Sequence, residues 1–118
     1  SQANSSLKQG RWDRKKFMGV ELYGKTLGII GLGRIGTEFA KRALSFGMKI
    51  LAFDPFLSEE KAKSLSVESS DLDNLLKNAD FITIHTPLTK ETNHLIDEKA
   101  FDKMKKGVRI INAARRYY

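Results

Sequence analysis

The sequence predicts an α/β fold with a doubly wound parallel sheet. Short apolar runs alternate along the chain with segments whose apolar positions repeat at helical spacing. From Leu27 to Asp54 one apolar run, a glycine-rich turn, a helical segment and a second apolar run follow in immediate succession. Together these favour parallel strands with helices on both faces, and right-handed crossovers place the first strand in the middle.

In chain order, residues 1–23 are polar and basic with one apolar cluster, Trp12, Phe17 and Met18. A segment this short builds no core alone. It is read either as a tether or as an interface arm, separate from the domain spanning 24–118. Gly19 to Thr26 fits the spelling of a phosphate-cradling Walker loop, but that loop must follow a strand and open a helix. Here the strand Thr26-Leu27-Gly28-Ile29-Ile30 comes after it, so Gly24-Lys25 is a turn into the strand and a nucleotide triphosphatase is rejected. From Arg34, the residues Ile35, Phe39, Ala40, Ala43 and Leu44 form an apolar stripe, with Glu38, Lys41 and Arg42 on the other face. Gly47 is placed to end this helix in a left-handed cap. Ile50 to Phe53 is a buried-type strand closed by Asp54-Pro55, and Ser58 caps a short helix with Glu59 and Glu60 in its first turn. A weak third strand is expected around Val67. Asp71 to Lys77 is an amphipathic helix with Leu72, Leu75 and Leu76 inward, and Phe81 to Ile84 is a strand closed by Thr86-Pro87. Asp97 caps a helix containing Ala100, Phe101 and Met104, and Val108 to Asn112 is the last strand.

Composition sets the limits. The chain has 118 residues, 41% of them hydrophobic, enough for one core and one domain. No apolar run approaches the roughly 18 residues of a membrane helix and nothing resembles a signal peptide, so a cytoplasmic protein without membrane contact is expected. Without that signal, the Asn4-Ser5-Ser6 acceptor triplet is discounted as a glycosylation site. The absence of cysteine excludes disulfides and thiolate metal sites, and two histidines, His85 and His94, are too few for a metal centre, so none is expected. The formal charge of +7 raises nucleic acid as a partner. The excess sits at the two ends, however, with no aromatic ladder or recognition helix beside it. It is read as a solvated or interface-facing surface, with no nucleic-acid partner.

In such sheets ligands bind beyond the carboxyl ends of the strands, at the point where the strand order reverses. The residues placed there are Gly31 to Gly36, Asp54, Thr86-Pro87 and Ala113-Ala114-Arg115. The spacing Gly31-x-Gly33-x-x-Gly36 between strand and helix, with Asp54 eighteen residues after Gly36, is a dinucleotide-binding pattern. Gly31 allows the tight turn, Gly33 lets the backbone approach a pyrophosphate, and Gly36 lets the helix pack on the sheet. The helix N-terminus offers free N–H groups and a positive dipole end, with Arg34 beside it. The alternative is a glycine turn used only for packing. Asp54 selects the cofactor, because a carboxylate there accepts from ribose hydroxyls and repels a 2′-phosphate. Pro55-Phe56-Leu57 supplies no arginine for that phosphate, so NAD is expected over NADP. His85, at a strand end, is expected to pack or hydrogen-bond locally. Arg115 either grips a substrate carboxylate or is one more member of a basic tail.

Three ordered motifs then identify a family. They are Leu27-Gly-Ile-Ile-Gly-Leu-Gly-Arg-Ile-Gly36, Asp80-Phe-Ile-Thr-Ile-His-Thr-Pro-Leu-Thr89 with Thr92 and Leu95-Ile96, and Met104-Lys-Lys-Gly-Val-Arg-Ile-Ile-Asn-Ala-Ala-Arg115. From about Ser6 to Arg115 the chain resembles the NAD-binding domain of the D-isomer-specific 2-hydroxyacid dehydrogenases. The arm Gly10 to Gly19 with Glu21-Leu22 resembles the phosphoglycerate branch in particular. The resemblance implies a Rossmann-type domain truncated before its last strands, with NAD contacts at Arg34, Ile35, Asp54, Thr86, Ala113, Ala114 and Arg115. It also implies that Arg115 is the catalytic arginine on the carboxylate of a small 2-hydroxy acid, in a homo-oligomeric parent. The family's proton-transferring histidine and its glutamate lie after this point, and Arg116-Tyr117-Tyr118 departs from the usual Arg-Gly continuation. An excised, inactive fragment lacking its substrate lobe is therefore expected. The alternatives are another member of the family, such as a glyoxylate or hydroxypyruvate reductase, and a non-catalytic NAD-binding module.

Overall fold

The computed structural model describes residues 21–85 and 97–112. Nine elements alternate: β1 (Thr26–Ile30), α1 (Arg34–Ser45), β2 (Lys49–Phe53), α2 (Glu59–Ser64), β3 (Glu68–Ser69), α3 (Leu72–Asn78), β4 (Phe81–Ile84), α4 (Glu98–Lys103) and β5 (Arg109–Asn112). The strands form one sheet in the order β3-β2-β1-β4-β5, and every neighbouring pair is parallel. Growth runs outward from β1 to β3, then steps back across to β4 on the other side of β1. The carboxyl ends of β1 and β4 therefore flank the switch point.

Two apolar clusters cover the sheet, one on each face. Strand alternation divides the residues between them, since successive side chains point to opposite faces. Leu27, Ile29, Ile50 and Ala52 join Ala40 and Ala43 of α1 and Ala62 of α2 on one face. Ile30, Leu51, Ile82 and Ile84 join Leu75 and Leu76 of α3 and Ala100 of α4 on the other. Gly28 lets α3 approach closely, because a Cβ there would lie 2.5 Å from Leu75 Cδ2. The expected central strand, two-faced helices and inward leucines of α3 are all observed, with Leu72 partly buried against its cluster.

Helix ends follow their side chains. Ser58, Asp71 and Asp97 accept hydrogen bonds from the backbone N–H groups of Lys61, Asn74 and Ala100 at 3.1, 2.7 and 2.8 Å, as the capping rule expects. Gly47, at φ 79°, closes α1. Its N–H donates to Leu44 O, and that of Met48 donates to Ala43 O.

Three expectations need adjustment. The third strand is only Glu68–Ser69, because Val67 is used by the preceding helix. Its N–H donates to Ala62 O while Ser66 takes a left-handed turn at φ 58°. The last strand begins at Arg109, since the Val108 N–H donates to Lys105 O in the turn before it. Ile35 leaves the apolar stripe of α1 and is 46% exposed, in the first turn, where the helix overhangs the end of the sheet. The turn reading of Gly24-Lys25 agrees with the structure. Gly24, at φ 75°, donates to Gly47 O, and Lys25 immediately precedes β1.

Candidate functional site: a glycine loop clipped to a strand-end carboxylate

Beyond Ile30 the chain turns at Gly31, with φ 85°, and enters α1 through Gly33, with φ 32°. Both conformations are ones L side chains avoid, which explains glycine there. The Gly31 N–H donates to Phe53 O at 3.0 Å, so the loop is tied to β2 as it leaves β1. Gly36 is buried, and a Cβ on it would sit 2.7 Å from the Gly31 carbonyl oxygen. Gly33 differs: it is exposed, and a Cβ there would meet nothing within 4 Å. Loop packing accounts for Gly36. At Gly33 the open space is where a ligand could approach the backbone.

The N-terminus of α1 is unlike those of α2, α3 and α4. Each of the others has a side-chain cap and an acid in its first turn. On α1 the N-cap is Gly33, no side chain caps it, and the first turn contains no acid. Its first N–H groups have no helical partner, and no acid of the helix's own first turn offsets the dipole's positive end. Arg34 and Ile35 flank this end, both exposed. The Thr37 hydroxyl and Thr37 N–H both donate to Gly33 O, fixing the carbonyl away from the open N–H groups.

Asp54, half-buried at the end of β2, faces this loop. Its Oδ2 accepts from the Leu32 N–H at 2.9 Å, and its Oδ1 accepts from the Phe56 N–H at 2.9 Å. The carboxylate thus holds the glycine loop and also caps the turn after β2. Each oxygen keeps a further lone pair for a hydroxyl donor. The residues fit an adenosine diphosphate moiety: open N–H groups for phosphate, an acceptor for ribose, and glycine between them.

Among the predicted site residues, Gly31, Gly33, Arg34, Ile35, Gly36 and Asp54 converge on one edge of the sheet. Thr86, Pro87, Ala113, Ala114 and Arg115 lie outside the described residues, as do Trp12 and Phe17 of the arm. His85 follows β4 on this edge. Its Nε2 lies 2.9 Å from Thr83 Oγ1, and its ring packs 5.4 Å from that of Phe39. Burial pushes its pKa below the usual histidine value, which favours neutral imidazole, and local packing explains its place. Among the described residues no cluster of His, Asp or Glu is placed to hold a metal ion. No helix is long and apolar enough to cross a membrane among them.

Sequence reasoning missed two positioning groups. Thr37 orients the Gly33 carbonyl, and its signal was a hydroxyl at the fourth residue of the helix, one turn from the cap. Asp80, just before β4, accepts from the Thr26 N–H at 2.9 Å through Oδ2 and pairs with Lys105 at 3.2 Å through Oδ1. The Thr26 N–H bond, then Lys105, hold the Asp80 pKa down against the opposing effect of burial. The signal there was an acid directly before an apolar run.

Comparison with known proteins agrees with this geometry. A family model described as D-isomer specific 2-hydroxyacid dehydrogenase, NAD binding domain, matches residues 1–116. D-3-phosphoglycerate dehydrogenase of Bacillus subtilis is 57% identical over 114 residues, which is 97% of this chain and 22% of that protein. Hydroxypyruvate reductase of Thermotoga maritima is 54% identical over 115 residues, 98% of this chain and 37% of that protein. The structure of D-lactate dehydrogenase from Aquifex aeolicus complexed with NAD and lactic acid superposes with a TM-score of 0.71 at 47% identity. It covers 76% of this chain and 27% of that one. The chain thus spans a minor part of the proteins it resembles. Glycine loop, strand-end carboxylate, strand order and family model agree, and the chain belongs to the D-isomer specific 2-hydroxyacid dehydrogenases as their NAD-binding domain.

Proposed function

We propose that this unit holds NAD in an enzyme oxidising 3-phospho-D-glycerate to 3-phosphohydroxypyruvate, the reaction that opens serine biosynthesis, in the cytoplasm. The 57% identity to the Bacillus subtilis phosphoglycerate dehydrogenase, over 97% of this chain, carries this reading. In it, the open N–H groups of α1 and Arg34 receive the pyrophosphate. Asp54 accepts from the adenosine ribose, with Ile35, Thr86, Pro87, Ala113 and Ala114 as further cofactor contacts. Arg115 orients the substrate carboxylate for hydride transfer to the nicotinamide, which is the chemistry the cofactor supplies. Arg115 has no proton to exchange at neutral pH, so proton transfer falls to a separate acid–base residue. The chain alone binds and orients, and turnover requires the substrate lobe. The parent is a homo-oligomer in this reading, with the arm carrying Trp12 and Phe17 as the contact.

The hydroxypyruvate reductase relative, 54% identical, favours a second reading in which the substrate lacks a phosphate. Two measurements test these points. ADP-ribose should raise the thermal midpoint of the chain, and Asp54→Ala should abolish the rise, because binding to the folded state stabilises it. An unchanged midpoint in the parent chain would refute the cofactor assignment. With the chain in its full-length protein, NADH formation should be faster with 3-phosphoglycerate than with glycerate, and the reverse order would select the second reading.

A further inference from the structure

At the opposite edge of the sheet, where β1, β4 and β5 begin, lies a cleft of about 450 Å³. That is within the size range of small-molecule sites. Lys25, Lys106 and Arg109 line it, together with Glu21, Asp80 and the turn at Gly107. The nearest acid is partly engaged. Asp80 bonds the Thr26 N–H through one oxygen and Lys105 through the other, and its charge also acts on Lys25, so the lining keeps a cationic excess set by Lys106 and Arg109. Among the described residues, Lys25, Lys106 and Arg109 form no ion pair, and Glu21 is the remaining acid in the lining. The Arg109 guanidinium carbon lies 5.7 Å from the centre of the ring of Phe81, its cross-strand partner, within cation–π range.

We propose that this cleft binds a small ligand bearing two or more anionic oxygens, and that it does so independently of the glycine loop. Lysine ammonium groups supply mobile point charges, and the arginine supplies a planar fork that matches a phosphate or carboxylate. The surface reading of a basic tail offers no reason for a concavity here. Binding at this edge leaves the cofactor edge open, since the two lie at opposite ends of the parallel strands.

Amide NMR of the chain titrated with sodium pyrophosphate, and separately with malonate, tests this at an ionic strength held constant with sodium chloride. Saturable shifts are expected at Lys106, Gly107 and Arg109. Lys25→Glu combined with Lys106→Glu should weaken the response roughly tenfold or more, as like charge meets like. Arg109→Gln, tested alone, keeps the lysines and should also weaken it. A response to both anions assigns the site to anionic oxygens in general, and a response to pyrophosphate alone assigns it to phosphates. Shifts confined to Leu32 to Gly36, shifts reproduced by sodium chloride, or a response unchanged by all these variants would overturn the proposal. Because the readout is residue-specific, it is separate from whether ADP-ribose binds.

Discussion

Gly36 and Gly33 belong to one motif but are kept for different reasons, and substituting each by alanine separates them. At Gly36 a new Cβ would lie 2.7 Å from the Gly31 carbonyl oxygen and 3.5 Å from Ile29 Cγ2. Ordinary contact begins near 3.4 Å, so α1 or the loop must retreat by about 0.7 Å, and neither is a flexible side-chain tip. Overpacking of this kind costs about 1–3 kcal/mol. In a domain of this size that lowers the thermal midpoint by about 4 °C or more per kcal/mol. The same retreat carries the open N–H groups away from a phosphate, so ADP-ribose affinity falls too. Gly33→Ala meets no atom but must hold φ 32° with ψ −164°, a conformation that L side chains avoid, at a cost of about 1–3 kcal/mol. Its Cβ also occupies the space a pyrophosphate would take, so ADP-ribose affinity should fall by tenfold or more, whereas at Gly36 the loss begins with packing. Thermal unfolding with and without ADP-ribose, and calorimetric titration, read both quantities. A Gly36→Ala protein with an unchanged midpoint would refute the packing argument. Undiminished ADP-ribose affinity in Gly33→Ala would refute the approach of a ligand to that backbone.

Other expectations follow from the same coordinates. Leu75→Ala should cost about 2–5 kcal/mol by leaving a cavity, and Gly28→Ala about 1–3 kcal/mol by overpacking. The double variant should cost clearly less than their sum, since the added methyl group points at Leu75 Cδ2, and an additive result in denaturant melts would refute the contact. His85 should titrate below the usual histidine value by NMR. With its folded pKa depressed by burial, stability should fall as pH drops below about 6.5, and His85→Gln should reduce that slope. Asp80, whose carboxyl is held low, should contribute stability that is present above about pH 4 and lost as pH falls through its folded value. Asp80→Asn should flatten that acid limb, and an unaltered acid transition would refute it. Lys103→Ala breaks an exposed 2.8 Å pair with Asp73 and should leave the midpoint within about 1 °C of the parent.

Much of this domain was legible because local chemistry and global fold agree. The three side-chain caps at Ser58, Asp71 and Asp97, the glycine stop at Gly47, and the strands at Phe81–Ile84 and Lys49–Phe53 each have a local cause that no distant contact overrides. The weak third strand expected around Val67 starts one residue later, because the Val67 N–H closes the preceding helix after the left-handed Ser66. Ile35 followed the helical period yet stays exposed, because periodicity identifies a face without saying where the sheet beneath it ends. The Gly31–Gly36 loop and Asp54 were recognisable by spacing. The bond from Leu32 N–H to Asp54 joins residues 22 apart and has no trace in either neighbourhood. The basic residues Lys106 and Arg109 looked like part of a tail, whereas the fold brings them to one concavity with Lys25.

The double duty of Asp54 bears on how cofactor preference can change by mutation. In the proposed reading, relaxing the site toward a 2′-phosphorylated dinucleotide means removing this acid's charge. A basic or aliphatic replacement also withdraws the acceptor from Leu32, a residue only 2% exposed, and orphaning a buried N–H costs about 1–3 kcal/mol. Preference and loop order are therefore coupled. A lineage or an engineer crossing from one cofactor to the other must keep an oxygen acceptor for Leu32, as Asp54→Asn does, or pass through a destabilised intermediate.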